Sequence, residues 1–89
     1  MVHSNITNID YNPASVAYIA NMKQAYLYLR NGARLLDILY FNTKADALVF
    51  VFEKDKKLKE LYELWNKHEL NWKEVGEWHF RLRNLKSKR

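Results

Sequence analysis

Two apolar runs decide the fold of this 89-residue chain: ARLLDILYF at residues 33–41 and ALVFVFE at residues 47–53. Both runs are rich in β-branched and aromatic residues, and both are too short to be stable as isolated helices. The polar residues between them, NTKAD at 42–46, suit a hairpin loop. The sequence therefore predicts that the two runs form an antiparallel β-hairpin.

Neither face of the predicted hairpin is polar. The second strand is apolar on both sides, with Leu48, Phe50 and Phe52 on one face and Ala47, Val49 and Val51 on the other. An antiparallel sheet with one face in water alternates cleanly between apolar and polar residues. We therefore expect helices on both sides of the sheet, or a second copy of the chain on one side, which favours a dimer.

The residues before the hairpin predict a helix with a defined start and end. Asn21 and Gln24 have the spacing of a capping box, and Gly32 suits the left-handed C-terminal cap. The helix is predicted over residues 22–31, with an apolar face of Met22, Ala25, Tyr26 and Leu29. Residues 14–19 fit a third strand or an early helical turn, of which the strand is favoured, and residues 1–12 predict a loose N-terminal arm.

The residues after the hairpin predict two more helices. Asp55 suits the cap of the first, whose apolar face consists of Leu58, Leu61, Tyr62 and Trp65. Asn71 and Glu74 have the spacing of a second capping box, which predicts a C-terminal basic helix within residues 71–89. The expected fold is a single α+β domain over residues 1–89, in the order β-α-β-β-α-α, with a small antiparallel sheet packed against three helices.

One long segment resembles a known family. The segment reads NMKQAYLYLRNGARLLDI at 21–38, and it is followed by VFVFE at 49–53 and a Lys/Glu-rich helix that ends near Trp65. It is similar to a small domain family of unknown function from phages, plasmids and conjugative elements of Gram-positive bacteria. The shared motifs are structural, with Gly32 as a helix cap and Phe50 and Phe52 as core residues. The resemblance implies an accessory protein of a mobile genetic element and supplies no active site.

Composition excludes several classes of protein. The chain has no cysteine, which excludes disulfides and thiolate metal sites. No apolar run approaches the roughly 20 residues that a membrane span needs. The first residues lack the basic start and apolar block of a secretory signal. We therefore expect a cytoplasmic protein without a membrane partner.

Few residues suit catalysis or metal binding. The three histidines, at positions 3, 68 and 79, have no established ligand spacing, and the two glycines form no nucleotide-binding fingerprint. Asp37 is the one acid in an otherwise apolar strand. An edge position, or a pairing with Arg34 or Lys44, is favoured over a buried carboxylate with a shifted pKa. The sequence therefore predicts a protein that is not an enzyme and that uses no metal or cofactor.

The net charge of +5 is concentrated at one end of the chain. Residues 1–53 contain four basic and four acidic residues, whereas the last twelve residues contain five basic residues and no acid. Because neutralised phosphates add to affinity, this asymmetry predicts contact with DNA or RNA. The alternative is a solvated C-terminus. The predicted nucleic-acid-binding residues are Lys73, Arg81, Arg83, Lys86, Lys88 and Arg89.

The aromatic content indicates a second function. Three Trp, six Tyr and four Phe are more than a core of this size easily buries. Tyr28 lies off the predicted apolar face of the first helix, and Trp72 lies in the first turn of the last one. These two are the predicted interface residues of a protein–protein interaction module, which would be a homodimer or an inhibitor of a host protein.

Overall fold

The fold is that of a computed structural model, which describes residues 1–42 and 46–72. It is an α+β fold, as the sequence predicts. The third predicted helix lies outside the described residues. The elements in chain order are β1 (Val2–His3), β2 (Asp10–Tyr11), a 3₁₀ turn (Pro13–Ser15), β3 (Val16–Ile19), α1 (Met22–Arg30), β4 (Leu35–Asn42), β5 (Asp46–Glu53) and α2 (Lys56–Asn66).

The centre of the fold is a three-stranded antiparallel sheet in the order β3-β5-β4. β4 and β5 form the predicted hairpin, in a register that places Tyr40 opposite Leu48 and has an irregularity between Leu35 and Asp37. β3 lies within residues 14–19, where the sequence favours a third strand, and it pairs with β5. Because β5 is central, β3 and β4 are both edge strands.

Both helices contribute to a core on one face of the sheet. The ring of Tyr28 in α1 meets the ring of Phe52 in β5 edge-on, with centroids 5.6 Å apart. Aromatic pairs in this geometry add to the stability that burial supplies. The buried residues of this core are Ala25, Leu27, Tyr28, Ala33, Phe52, Leu58, Leu61 and Leu70.

The opposite face of the sheet is covered by an N-terminal hairpin, formed by β1 and β2. Its Tyr11 packs with Leu36 and Val51 of the sheet in a second buried cluster. A two-stranded hairpin is marginal alone, so these contacts stabilise it. The segment is therefore not the loose arm that residues 1–12 predict. On this second face the hairpin covers Leu36 and Val51, where the sequence predicted a helix or a second copy, while the end of the sheet near Tyr40 and Leu48 is exposed.

The orientation of α1 differs from the prediction. Met22, Tyr26 and Leu29 were expected to face the core, but they are exposed, whereas Tyr28 is fully buried. Residues 25–29 read AYLYL, so apolar residues surround the helix and periodicity cannot select a face. Tyr28 fits the interior because its ring packs on Phe52 and its hydroxyl accepts a hydrogen bond from Gln24 Nε2 at 2.9 Å. The prediction of Tyr28 as an interface residue is therefore wrong.

The helix ends follow the local signals in the sequence. The side chains of Asn21 and Asp55 each accept a backbone N–H three residues further on, at 2.9 Å. At the C-terminal ends, Gly32 (φ 92°) and His68 (φ 59°) adopt the left-handed conformation, and the amides there bond back to the helix carbonyls. The predicted caps at Asn21, Asp55 and Gly32 are confirmed.

Candidate interaction surface

A buried carboxylate joins the N-terminal hairpin to β4. Asp37 Oδ1 accepts hydrogen bonds from Ser4 Oγ at 2.7 Å and from the Ile38 amide at 2.9 Å. Its Oδ2 accepts a hydrogen bond from the Tyr11 hydroxyl at 2.8 Å. Ser4 and Tyr11 belong to the hairpin, and Asp37 belongs to the sheet. The bonds from Ser4 and Tyr11 therefore link two parts of the chain that are far apart in sequence.

Burial and hydrogen bonding act in opposite directions on the pKa of Asp37. Burial raises it, but the bonds from Ser4, Tyr11 and the Ile38 amide favour the charged form and hold the pKa below its usual value. Burial, together with the bond to Asp37, raises the pKa of Tyr11 to about 12. Asp37 does lie on an edge strand, yet it is the buried carboxylate that the sequence disfavoured, because the N-terminal hairpin covers it.

The Asp37 cluster is complete in itself. Ser4 Oγ also accepts hydrogen bonds from the amides of Ile6 and Thr7, at 3.1 Å each. Within residues 1–42 and 46–72, every buried side-chain nitrogen and oxygen has a hydrogen-bond partner. The cluster thus presents no unsatisfied group to a ligand. Its role is structural, because its hydrogen bonds hold the hairpin against the sheet.

The outer side of α1 carries an exposed apolar surface. Met22, Tyr26 and Leu29 are 67%, 43% and 42% exposed. Arg30, one turn after Tyr26, donates from Nε to the Tyr26 hydroxyl at 3.2 Å. We refer to these four residues, together with Trp72, as the α1 outer face.

Arg30 lies near two aromatic rings of the α1 outer face. Its guanidinium carbon is 5.4 Å from the ring centroid of Tyr26 and 5.9 Å from that of Trp72, both within cation–π range. Trp72 is 45% exposed. The neighbouring Asn71 carbonyl accepts a hydrogen bond from Asn31 Nδ2 at 3.5 Å, so the chain after α2 returns to the end of α1. The surface therefore presents one cation together with two rings.

A second exposed apolar area lies near the loop of the β4–β5 hairpin. Tyr40, Phe41 and Leu48 are all exposed. The Tyr40 hydroxyl donates to Asp46 Oδ1 at 2.7 Å, and this bond to a carboxylate raises the pKa of Tyr40. This area is separate from the α1 outer face, because it belongs to β4 and β5.

A groove of about 520 Å³ lies between β3 and α2. Ala17 and Ile19 contribute apolar surface to it, and the charged groups of its lining come from Lys54, Lys59 and Glu63. Ligand sites combine apolar walls with a few converging polar groups. With two lysines and one glutamate the lining carries one net positive charge, which is too little to define a class of ligand.

The predicted site residues have different outcomes. Trp72 is exposed and lies on the α1 outer face, while Tyr28 is in the core. The predicted nucleic-acid-binding residues, Lys73, Arg81, Arg83, Lys86, Lys88 and Arg89, lie outside the described residues. Tyr26 and Arg30 are not among the predicted site residues, although their i, i+4 spacing indicates a side-chain pair on a helix.

In the part of the chain that the structure describes, no group of three or more His, Asp or Glu side chains is arranged to hold a metal ion. None of the helices there is long and apolar enough to cross a membrane.

Comparison with known proteins finds no match among family models, curated proteins or solved structures. The resemblance to a family from mobile genetic elements therefore stays a prediction.

Proposed function

We propose that this is a non-enzymatic protein that acts by binding another protein through the α1 outer face. The observation that carries the proposal is the exposed arrangement of Arg30 beside the rings of Tyr26 and Trp72. Trp, Tyr and Arg are the residue types that most often dominate the energy of protein interfaces.

The side chain of Arg30 is held in place before a partner binds, which favours tight binding. Arg30 is held by its bond to the Tyr26 hydroxyl and by its position near the Trp72 ring, so less side-chain freedom is lost when a partner binds. Met22 and Leu29 supply exposed apolar area on the same helix. The partner surface that fits this cluster is apolar.

The charge of α1 favours the same partner. Its sequence, MKQAYLYLR, contains Lys23 and Arg30 and no acidic residue. Complementary charge raises association rates and selects against basic partners. An acidic, apolar peptide is therefore the simplest probe of this surface.

The test is selection of peptides from a random displayed library on immobilised full-length protein, followed by calorimetric titration of a synthetic selected peptide. We expect selected peptides to combine apolar residues with Asp or Glu. The variant Tyr26→Ser/Arg30→Glu should weaken binding by about 30-fold or more, which corresponds to the loss of a hot spot worth about 2 kcal/mol. The matched control is Lys59→Glu/Tyr62→Ser, which makes the same types of change on the exposed side of α2.

Equal affinity of the peptide for the wild-type protein and for Tyr26→Ser/Arg30→Glu contradicts the proposal. So does an equal loss of affinity in the control variant, since the effect would then not belong to the α1 outer face. Far-UV circular dichroism of each variant separates lost binding from lost folding.

Nucleic-acid binding is the second candidate function, favoured by the basic C-terminal residues, of which the first, Lys73, directly follows the exposed Trp72 in the sequence. If these residues bind phosphates, the affinity for DNA or RNA should fall steeply with salt. In the setting that the family resemblance implies, either kind of binding would serve an accessory or regulatory protein of a mobile genetic element.

An electrophoretic shift titration at two salt concentrations tests this second function with two charge-matched variants. The first variant replaces five C-terminal residues by Gln: Arg81, Arg83, Lys86, Lys88 and Arg89. The control replaces five lysines on or near α2 by Gln: Lys54, Lys56, Lys57, Lys59 and Lys67. Loss of the shift only in the first variant supports nucleic-acid contact at the C-terminus. An equal effect of the two variants, or no shift of the wild-type protein at low salt, contradicts it.

A further inference from the structure

The outer edge of β4 is one side of the sheet. The strand order β3-β5-β4 leaves no strand beyond β4 among the described residues. An unpaired edge presents a row of backbone N–H and C=O groups to another strand. β4 has eight residues, Leu35–Asn42, and is thus long enough to pair with one.

The first half of this edge is already occupied. The Leu36 carbonyl accepts a hydrogen bond from Thr7 Oγ1 at 2.6 Å, and the Ile38 amide donates to Asp37 Oδ1 at 2.9 Å. The N-terminal hairpin thereby covers the start of the strand. The open part of the edge is residues 39–42.

The open part lacks the usual protection of an edge strand. Natural sheets protect such edges with lysine, proline, a bulge or an inward-pointing charge. Residues 39–42 read LYFN, with no charge and no proline, and the irregularity of the strand lies before them, between Leu35 and Asp37. Protection is therefore confined to the half that the N-terminal hairpin covers.

The side chains of the open part are apolar on both faces of the sheet. Tyr40 is 58% exposed and Phe41 is 46% exposed, and adjacent residues of a strand point to opposite faces. Leu48, opposite Tyr40 in the register, is exposed beside it. A strand added at this edge would therefore contact apolar residues on both faces.

We propose that the open part of β4 pairs antiparallel with the same part of β4 in a second copy of the chain. The product is a continuous six-stranded sheet in the order β3-β5-β4-β4-β5-β3, related by a twofold axis. A twofold contact requires a surface that complements itself, and an antiparallel edge strand meets this requirement. Residues 1–53, which contain the whole sheet, have four basic and four acidic residues, so this part of the chain carries no net charge.

The exposed areas indicate how strong this dimer is. An aromatic side chain has roughly 150–250 Å² of surface. The exposed halves of Tyr40 and Phe41 thus contribute on the order of 200 Å² from each copy, in addition to the backbone edge. This is small compared with the roughly 800 Å² per partner of a standard interface, so the dimer should form reversibly at micromolar or higher concentration.

Sedimentation equilibrium of the full-length chain, from low to several hundred micromolar, measures the association directly. Tyr40→Lys places a charge on the open edge and should weaken the dimer by about tenfold or more. The matched control is Tyr18→Lys on β3, the other edge strand of the sheet. Tyr18 is also about half exposed, and its hydroxyl is also hydrogen-bonded, to the Pro13 carbonyl.

A second measurement does not depend on the stability of the lysine variants. Because the chain has no cysteine, Tyr40→Cys or Tyr18→Cys supplies a single thiol that forms disulfides only between copies. Mild oxidation should cross-link the Tyr40→Cys protein and leave the Tyr18→Cys protein largely uncross-linked. A strict monomer at the highest concentration overturns the proposal. Equal weakening by the two lysine variants, or equal cross-linking of the two cysteine variants, overturns it as well.

Discussion

Replacing Tyr11 by Phe is the sharpest test of how the N-terminal hairpin is held to the sheet. The change removes only the hydroxyl that donates to Asp37 Oδ2 at 2.8 Å, and it leaves the buried ring in place. A hydrogen bond to a charged group contributes about 1.5–3 kcal/mol, so we expect a loss of this size in the free energy of unfolding. For a domain of this length, each 1 kcal/mol lowers Tm by about 4–8 °C, which predicts a decrease on the order of 10 °C.

Thermal and urea denaturation at neutral pH, followed by circular dichroism, measures this loss. Tyr18→Phe is the matched control, because its hydroxyl donates to the Pro13 carbonyl at 3.2 Å on the exposed surface. Its removal should cost less than about 0.5 kcal/mol. Hydrogen exchange adds a local measurement, since the Ser4 amide bonds to the Ile9 carbonyl within the hairpin and should lose protection in Tyr11→Phe.

Two results would refute this reasoning. One is a cost for Tyr11→Phe no larger than that for Tyr18→Phe, which would mean that the bond to Asp37 contributes little. The other is a large loss of global stability with unchanged protection of the Ser4 amide, which would mean that the hydroxyl does not hold the hairpin.

The remaining predictions concern helix ends and pH. Gly32→Ala should cost about 1–2 kcal/mol, because residue 32 has φ of 92°, a conformation that disfavours a Cβ; urea denaturation measures the cost. Asp55→Ala should cost about 1 kcal/mol in the same assay, while Asp55→Asn should keep most of the stability, since Asn also caps helices. Because the pKa of Tyr11 is raised to about 12, its protonated hydroxyl contributes stability that is complete below about pH 10 and is lost as pH rises through 12; Tyr11→Phe should therefore remove this part of the alkaline dependence of unfolding. The pKa of Asp37 is lowered, so its contribution is complete above about pH 4 and is lost as pH falls below; Asp37→Asn should remove this part of the acid dependence of unfolding.

The features that the sequence predicts well depend on neighbouring residues. The caps at Asn21 and Asp55 need only the first helical turn, and the β4–β5 hairpin needs two apolar runs and a short polar loop. Such local patterns specify an element wherever it is placed in the fold. The predicted order β-α-β-β-α-α lacks the two short strands β1 and β2, with which the observed order begins.

The features that the sequence predicts poorly depend on distant residues. The N-terminal hairpin has two strands of two residues each, too short to give a pattern, and its anchor Asp37 lies 33 residues beyond Ser4. The face of α1 is set by the packing of Tyr28 on Phe52, which no periodicity within residues 25–29 reveals. For this reason the sequence places Tyr26 on the core face of α1, although its side chain is 43% exposed.

The N-terminal hairpin has a consequence for how the chain folds and avoids aggregation. Its partners on the sheet belong to β4 and β5, so it can dock only after those strands have been made and paired. Contacts across such long loops form late in folding, after the local helix and hairpin contacts. Until then Leu36 and Val51 are exposed to solvent, and the incompletely folded chain has an apolar sheet surface that is prone to aggregation. The hairpin would thus be synthesised before β4 and β5 but would reach its place after them, where it shields Leu36 and Val51.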